Sequence, residues 1–216
     1  MTEDAPPRRL VLLRHGRTAW NQTRRAQGHA DVPLDEVGHA QAQACAPYVA
    51  AMRPARLWSS DLARAVQTAE HLAAACGLEV ELDSRLREFS VGERTGMTWA
   101  EAVAEFPQIA DGVGLGERLR GVPGAETDAE VIARIVPAVE DCAAALAPGA
   151  TGVVVTHGAS LKLALGGLLG WDESAGRVLA VLDNCRWTTV LVPPDGGPRR
   201  LVDYGMGDFA STVGIG

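Results

Sequence analysis

Three short stretches of this 216-residue chain carry side chains that could do chemistry together. Arg14-His15-Gly16 follows the apolar run Leu10–Leu13, His157-Gly158 follows Val153–Thr156, and Arg64 comes soon after Leu57-Trp58-Ser59. A phosphate monoester is nearly dianionic, so attack on it asks for a neutral, well-aimed nucleophile and fixed positive charge on the non-bridging oxygens. An imidazole of ordinary pKa, about 6.5, is mostly neutral at pH 7, and nearby guanidiniums push it further that way. His15 is therefore the candidate nucleophile. Arg14 and Arg64 would grip phosphate through charge-assisted hydrogen bonds and keep the imidazole unprotonated. The other ring nitrogen must then carry the proton, held by a backbone carbonyl. Gly16 is expected to leave room for the incoming phosphate. Arg17, Arg24 and Arg25 add local positive charge to a chain whose formal net charge is −7.

Such residues, distant in sequence, need a scaffold that brings them to one rim. Leu10–Leu13, Leu57–Ser59 and Val153–Thr156 are apolar throughout rather than alternating, as expected of parallel strands covered by helices on both faces. A helix is expected from Asp35, as cap, to Met52. Another is expected from a Ser60 or Asp61 cap to Cys76, with Gly77 as a left-handed terminator, and a third from Ser160 to Leu169. The pattern reads as α/β, a three-layer αβα arrangement with a mainly parallel central sheet. In such sheets ligands sit beyond the carboxyl ends of the strands, where Arg14, His15, Arg64 and His157 fall. Residues 87–122 are glycine-rich and weakly patterned, and are expected to form an inserted lid over that rim within one domain spanning 1–216. Val178–Leu182, Trp187–Val192 and Arg200–Tyr204 read as further strands, the last two joined by a turn at Pro193–Gly197. Residues 205–216 carry no periodicity.

The run Leu13-Arg14-His15-Gly16-Arg17-Thr18-Ala19-Trp20-Asn21 resembles the opening signature of the histidine phosphatase superfamily, the phosphoglycerate mutase-like family. The resemblance continues in order through Gln27-Gly28, Asp31–Leu34, Ser59–Ala65, Leu86-Arg87-Glu88 and Thr156-His157-Gly158. It implies a phosphohistidine on His15 and a phosphate pocket of Arg14, Arg64 and His157. Asn21, Gln27, Gly28 and Gly158 would be further substrate contacts, and Glu88 the proton donor. No metal and no cofactor are implied. Two positions depart from the family pattern: Arg17 stands where Glu or Gln is usual, and Gly124-Ala125-Glu126-Thr127 where Gly-Gly-Glu-Ser is common. Arg17 is expected to favour an anionic substrate. A structural ion pair of Glu88 with Arg85 or Arg87 is the competing reading of that carboxylate.

The phosphatase branch is favoured, because no Glu-Arg-His-Tyr-Gly segment starts at Glu88 and no Arg-Arg pair occurs between Glu88 and His157. Within that branch the chain is most similar to glucosyl-3-phosphoglycerate and broad-specificity phosphatases, which implies hydrolysis of a small acidic or sugar phosphate. A cofactor-dependent mutase and a non-catalytic phosphate-binding pseudophosphatase are the alternatives. Composition is that of a globular protein, 47% apolar and 22% charged. The acidic net charge argues against nucleic acid as partner, and the short apolar runs argue against a membrane. Cys45, Cys76, Cys142 and Cys185 are too scattered for a metal or redox motif. A cytoplasmic protein is expected, with a small phosphate ester as ligand and a homodimer left open.

Overall fold

The structure, a computed structural model, describes residues 5–112, 116–171 and 178–207. Six strands form one sheet in the order β3-β2-β4-β1-β5-β6. They are β1 (Arg8–Arg14), β2 (Arg56–Ser59), β3 (Val80–Leu82), β4 (Thr151–Thr156), β5 (Trp187–Val192) and β6 (Arg200–Met206). β1 pairs in parallel with β4, β4 with β2 and β2 with β3, while β5 runs antiparallel to both β1 and β6. The sheet is thus mainly parallel.

Among the described residues six helices accompany it: α1 (Ala19–Gln22), α2 (Glu36–Ala51), α3 (Ala63–Cys76), α4 (Trp99–Glu105), α5 (Asp128–Ala144) and α6 (Gly158–Leu169). The alternation of side chains along each strand assigns them to two faces. Val11, Leu13, Val153 and Val155 pack with Ala42, Val49, Ala69 and Leu72 of α2 and α3. Leu10, Leu12 and Val154 pack with Ile135 and Val139 of α5 and Leu161 and Leu165 of α6. Both faces are covered, which is why these strands read as unbroken apolar runs. Among the described residues no helix is long and apolar enough to cross a membrane.

Several helix ends follow their local chemistry. The Asp35 carboxylate accepts from Gly38 N at 2.8 Å and starts α2. Gly77 at φ +67° ends α3 in the left-handed region, which suits a residue without Cβ. The start of α3 differs from expectation. Its N-cap position is Leu62, and the Ala63 N–H is satisfied by Asp31 Oδ1 at 2.7 Å, a carboxylate from a distant loop. Asp61 is unavailable for that role because it takes the Arg87 guanidinium through both oxygens.

Two further segments differ. Val178–Leu182 is not a strand; it is irregular, with Val178 exposed and Leu182 buried. Helix α5 carries a capping box from Thr127 and Glu130 and buries Val131, Ile135, Ala138, Val139 and Cys142. The described residues of 87–122 include three short 3-10 turns besides α4, with their own apolar cluster of Ala102, Phe106, Ile109 and Val122. Of the unassigned tail, residues 208–216 lie outside the described residues.

Candidate active site

The carboxyl ends of β1 and β4 put Arg14 and His15 beside His157, with the His15 and His157 ring centroids 5.1 Å apart. Arg64 arrives from the first turn of α3. All three inner side chains are buried: His15 is 3% exposed, Arg64 1% and His157 0%. Burying a cation inside a fold is costly unless its hydrogen bonds are met. Arg64 donates to Ala30 O at 2.9 Å and Gly28 O at 2.8 Å, and Arg14 donates to Leu182 O. These bonds leave Arg14 Nε and Arg64 Nε buried without a partner, together with His157 Nδ1. The two guanidinium Nε groups are donors, and donors left free by the fold beside an imidazole suit an anion.

His15 Nδ1 lies 2.7 Å from Gly16 O, so Nδ1 carries the proton and Nε2 is left with its lone pair. Burial first, and then the Arg64 and Arg14 guanidiniums, hold the His15 pKa well below its ordinary value, overcoming the opposing pull of the Gly16 carbonyl. His157 is lowered for the same leading reason, with Arg64 next. Its Nε2 lies 2.9 Å from Ser60 Oγ. Burial brings the Arg64 pKa down to about 10, which leaves it fully cationic at neutral pH.

Gly16 has a different reason from the one expected. A Cβ there would meet Gly38 O at 2.6 Å, so the constraint is close packing on the first turn of α2 and not space for phosphate. The loop carrying His15 is fixed from the opposite side by Asn184 Nδ2, which donates to His15 O at 2.9 Å. The Cys185 N–H donates to Arg14 O at 3.0 Å. Cys185 holds a left-handed φ of +57°, a strained conformation for a residue with a side chain.

Glu88 is not paired with Arg85 or Arg87. Arg85 bridges Asp83 and Asp141, and Arg87 takes Asp61. The Glu88 carboxylate instead sits at the start of α6, accepting from Ala159 N at 3.1 Å through Oε2 and from Ser160 N at 2.9 Å through Oε1. Those are N–H groups that a helix leaves without intrahelical partners. Its backbone is anchored as well. The Arg134 guanidinium donates to the carbonyls of Arg85, Arg87 and Glu88 while also holding Glu126. Glu126, at the departure from the family pattern, thus keeps a structural partner.

A cavity of about 170 Å³ opens over this cluster, lined by Arg14, His15, Asn21, Arg25, Ala26, Gln27, Gly28, Arg64, Glu88, Val91 and Arg94. Asn21, Gln27 and Gly28 are therefore brought to the site. Gly158 lies against it, since a Cβ there would meet Arg14 Nε at 3.3 Å. Arg17 does not line the cavity: its Nε donates to Asp35 at 2.9 Å, and the side chain is spent on the start of α2. Arg94 was not foreseen. It follows Glu88 in a segment with no periodic pattern, and only its charge could have flagged it. Asn184 and Cys185 left no sequence signal at all.

An α/β sheet whose strand ends gather a neutral imidazole, buried guanidiniums and a carboxylate beside an anion-sized cavity is the arrangement of a phosphate-ester hydrolase. The chain belongs to the histidine phosphatase superfamily, branch 1, whose family model matches residues 10–204. Among curated relatives, a glucosyl-3-phosphoglycerate phosphatase of Mycolicibacterium vanbaalenii is 36% identical over 207 residues, covering 91% of this chain and 90% of the relative. A probable phosphoglycerate mutase of Yersinia enterocolitica is 36% identical over 181 residues, covering 84% of this chain and 83% of the relative. Among solved structures, the mycobacterial glucosyl-3-phosphoglycerate phosphatase complexed with VO3 superposes with a TM-score of 0.82 at 33% identity, covering 93% of this chain and all of that one.

Proposed function

We propose that the protein hydrolyses a small acidic phosphate ester, such as glucosyl-3-phosphoglycerate, through a phosphohistidine on His15. The observation that carries this reading is the His15 tautomer, with Nδ1 tied to Gly16 O and Nε2 keeping its lone pair on a ring whose charged form the Arg64 and Arg14 guanidiniums disfavour. Nε2 attacks phosphorus, forming the P–N bond as the ester P–O bond breaks. Arg14, Arg64 and His157 hold the three non-bridging oxygens, whose charge is where stabilisation acts. Glu88 gives a proton to the leaving oxygen. The resulting carboxylate then takes a proton from water, which attacks the phosphohistidine, forming a new P–O bond as P–N breaks and phosphate departs. Glu88 is protonated again at the end of the cycle.

Transfer to water is favoured over return to a second hydroxyl by the phosphatase relative and by the missing arginine pair. The mutase reading draws on the other relative and is separable by product. The four cysteines are free, which supports a reducing compartment such as the cytoplasm.

The test is release of phosphate from p-nitrophenyl phosphate in the presence of a chelator, for the unaltered protein and for His15→Ala. Turnover that falls by at least about 10⁴-fold in the variant supports the reading. Turnover that persists would remove His15 from the chemistry. With 3-phosphoglycerate and its bisphosphate, isomer formed without free phosphate would instead establish the mutase.

A further inference from the structure

The cavity has a second cationic wall that the phosphoryl chemistry does not use. Arg94 lines it, half-buried, and its Nε and Nη1 are enclosed without any hydrogen-bond partner among the described residues. No carboxylate among those residues pairs with it. Its guanidinium carbon lies 5.0 Å from the Trp99 ring centroid, and Arg118 lies at the same distance from that ring. Burial first, and then the nearby Arg118, lower its pKa.

Arg94 is also well placed to act as a fixed contact. It ends the 3-10 turn Gly92–Arg94, whose first residue has φ +53° and would meet Pro123 O at 2.0 Å if it bore a Cβ. The flanking backbone is tied down by Glu93 N donating to Pro123 O, and by Gly96 N donating to Ala26 O. The guanidinium is further steadied by the aromatic face beneath it. Arg25, the other cavity arginine beyond the phosphate cluster, is already engaged with Gly96 O and Glu101.

Resting on the proposed phosphatase reading, we infer that Arg94 is the specificity-determining residue that binds a carboxylate of the substrate while His15, Arg14, Arg64 and His157 take its phosphate. A planar carboxylate matches the paired donors of a guanidinium, and an anion there would meet the donors the fold leaves bare. The substrate class is a phosphate ester bearing a carboxylate a few bonds from the phosphoryl group.

The experiment compares 3-phosphoglycerate with glycerol 3-phosphate, which carries a hydroxymethyl group in place of the carboxylate, as substrates of the unaltered protein and of Arg94→Gln. The unaltered protein should prefer the carboxylate ester. Arg94→Gln should lose about ten- to a hundredfold more kcat/KM on it than on glycerol 3-phosphate, and Arg94→Lys should lose less. Equal losses on both esters, or no preference in the unaltered protein, would overturn the inference and leave the phosphatase intact. Absence of phosphate release from either ester and from p-nitrophenyl phosphate would bring down the phosphatase reading itself. Should Arg94→Gln not fold, competition against p-nitrophenyl phosphate in the unaltered protein decides: 3-phosphoglycerate must inhibit at least about tenfold more tightly than glycerol 3-phosphate.

Discussion

The two ends of the cavity are built by different means. At the inner end, His15, Arg64 and His157 are almost wholly enclosed and sit on strand ends or the first turn of a helix. At the outer end, Arg25 and Arg94 are partly exposed and hang on turns of the 24–28 and 92–97 segments. The inner groups are fixed by the same packing that makes the core, so their geometry is as rigid as the sheet. The outer groups are held by a few backbone hydrogen bonds and can change without disturbing the fold. On the proposed reading, the reaction is written into the core and the choice of substrate into its covering.

Breaking the inner end should be expensive. Arg64→Lys keeps the charge but cannot hold Gly28 O and Ala30 O while presenting a donor to phosphate. Its kcat/KM for p-nitrophenyl phosphate should fall by about 10²–10³-fold, the scale for losing one oriented donor from a site where charge develops. A loss of twofold or less would show that Arg64 only props the loop.

The inner end should also set an acid limit on stability. His15 and His157 are held neutral in the fold, their pKa values lowered chiefly by burial. In the unfolded chain each takes a proton near pH 6.5, so below that pH the unfolded state binds more protons and stability falls with acid. Thermal midpoints should drop between pH 7 and 5, and saturating inorganic phosphate, which binds only the folded form, should raise them. The slope should be shallower in His157→Asn; an unchanged slope would assign the acid sensitivity to other groups.

The smallest effect is expected where the sequence pointed to substrate and the structure shows an ion pair. Arg17→Gln removes the contact to Asp35, worth up to about 1 kcal/mol at a partly exposed site, and should leave the 3-phosphoglycerate to glycerol 3-phosphate preference within about twofold. A collapse of that preference would move the acidic subsite from Arg94 to Arg17.

This contrast also explains what could be read from the sequence. The apolar runs of β1, β2 and β4 are long enough to betray a covered sheet, and Arg14, His15 and His157 follow directly from them. Helix α5 was not assigned from the sequence, although Thr127 and Glu130 form its cap and Val131, Ile135, Ala138 and Val139 keep one face apolar. β3 has only three residues, two of them exposed, too short for any period to emerge. The Asp31 cap of α3, the Asn184 contact to His15 and the place of Arg94 depend on chain segments meeting from far apart. Local patterning carries no trace of such meetings.

The strand that bears the nucleophile sits in mid-sheet, yet its ladder partners are Thr151–Thr156 on one side and Trp187–Val192 on the other. A chain emerging from the ribosome therefore exposes an apolar strand long before either neighbour exists. Assembly of the sheet must await synthesis of both partner strands, a non-local closure that slows folding and leaves the exposed strand vulnerable to association. Fragments that end before residue 187 should in consequence be inert however completely they retain the Arg-His-Gly signature.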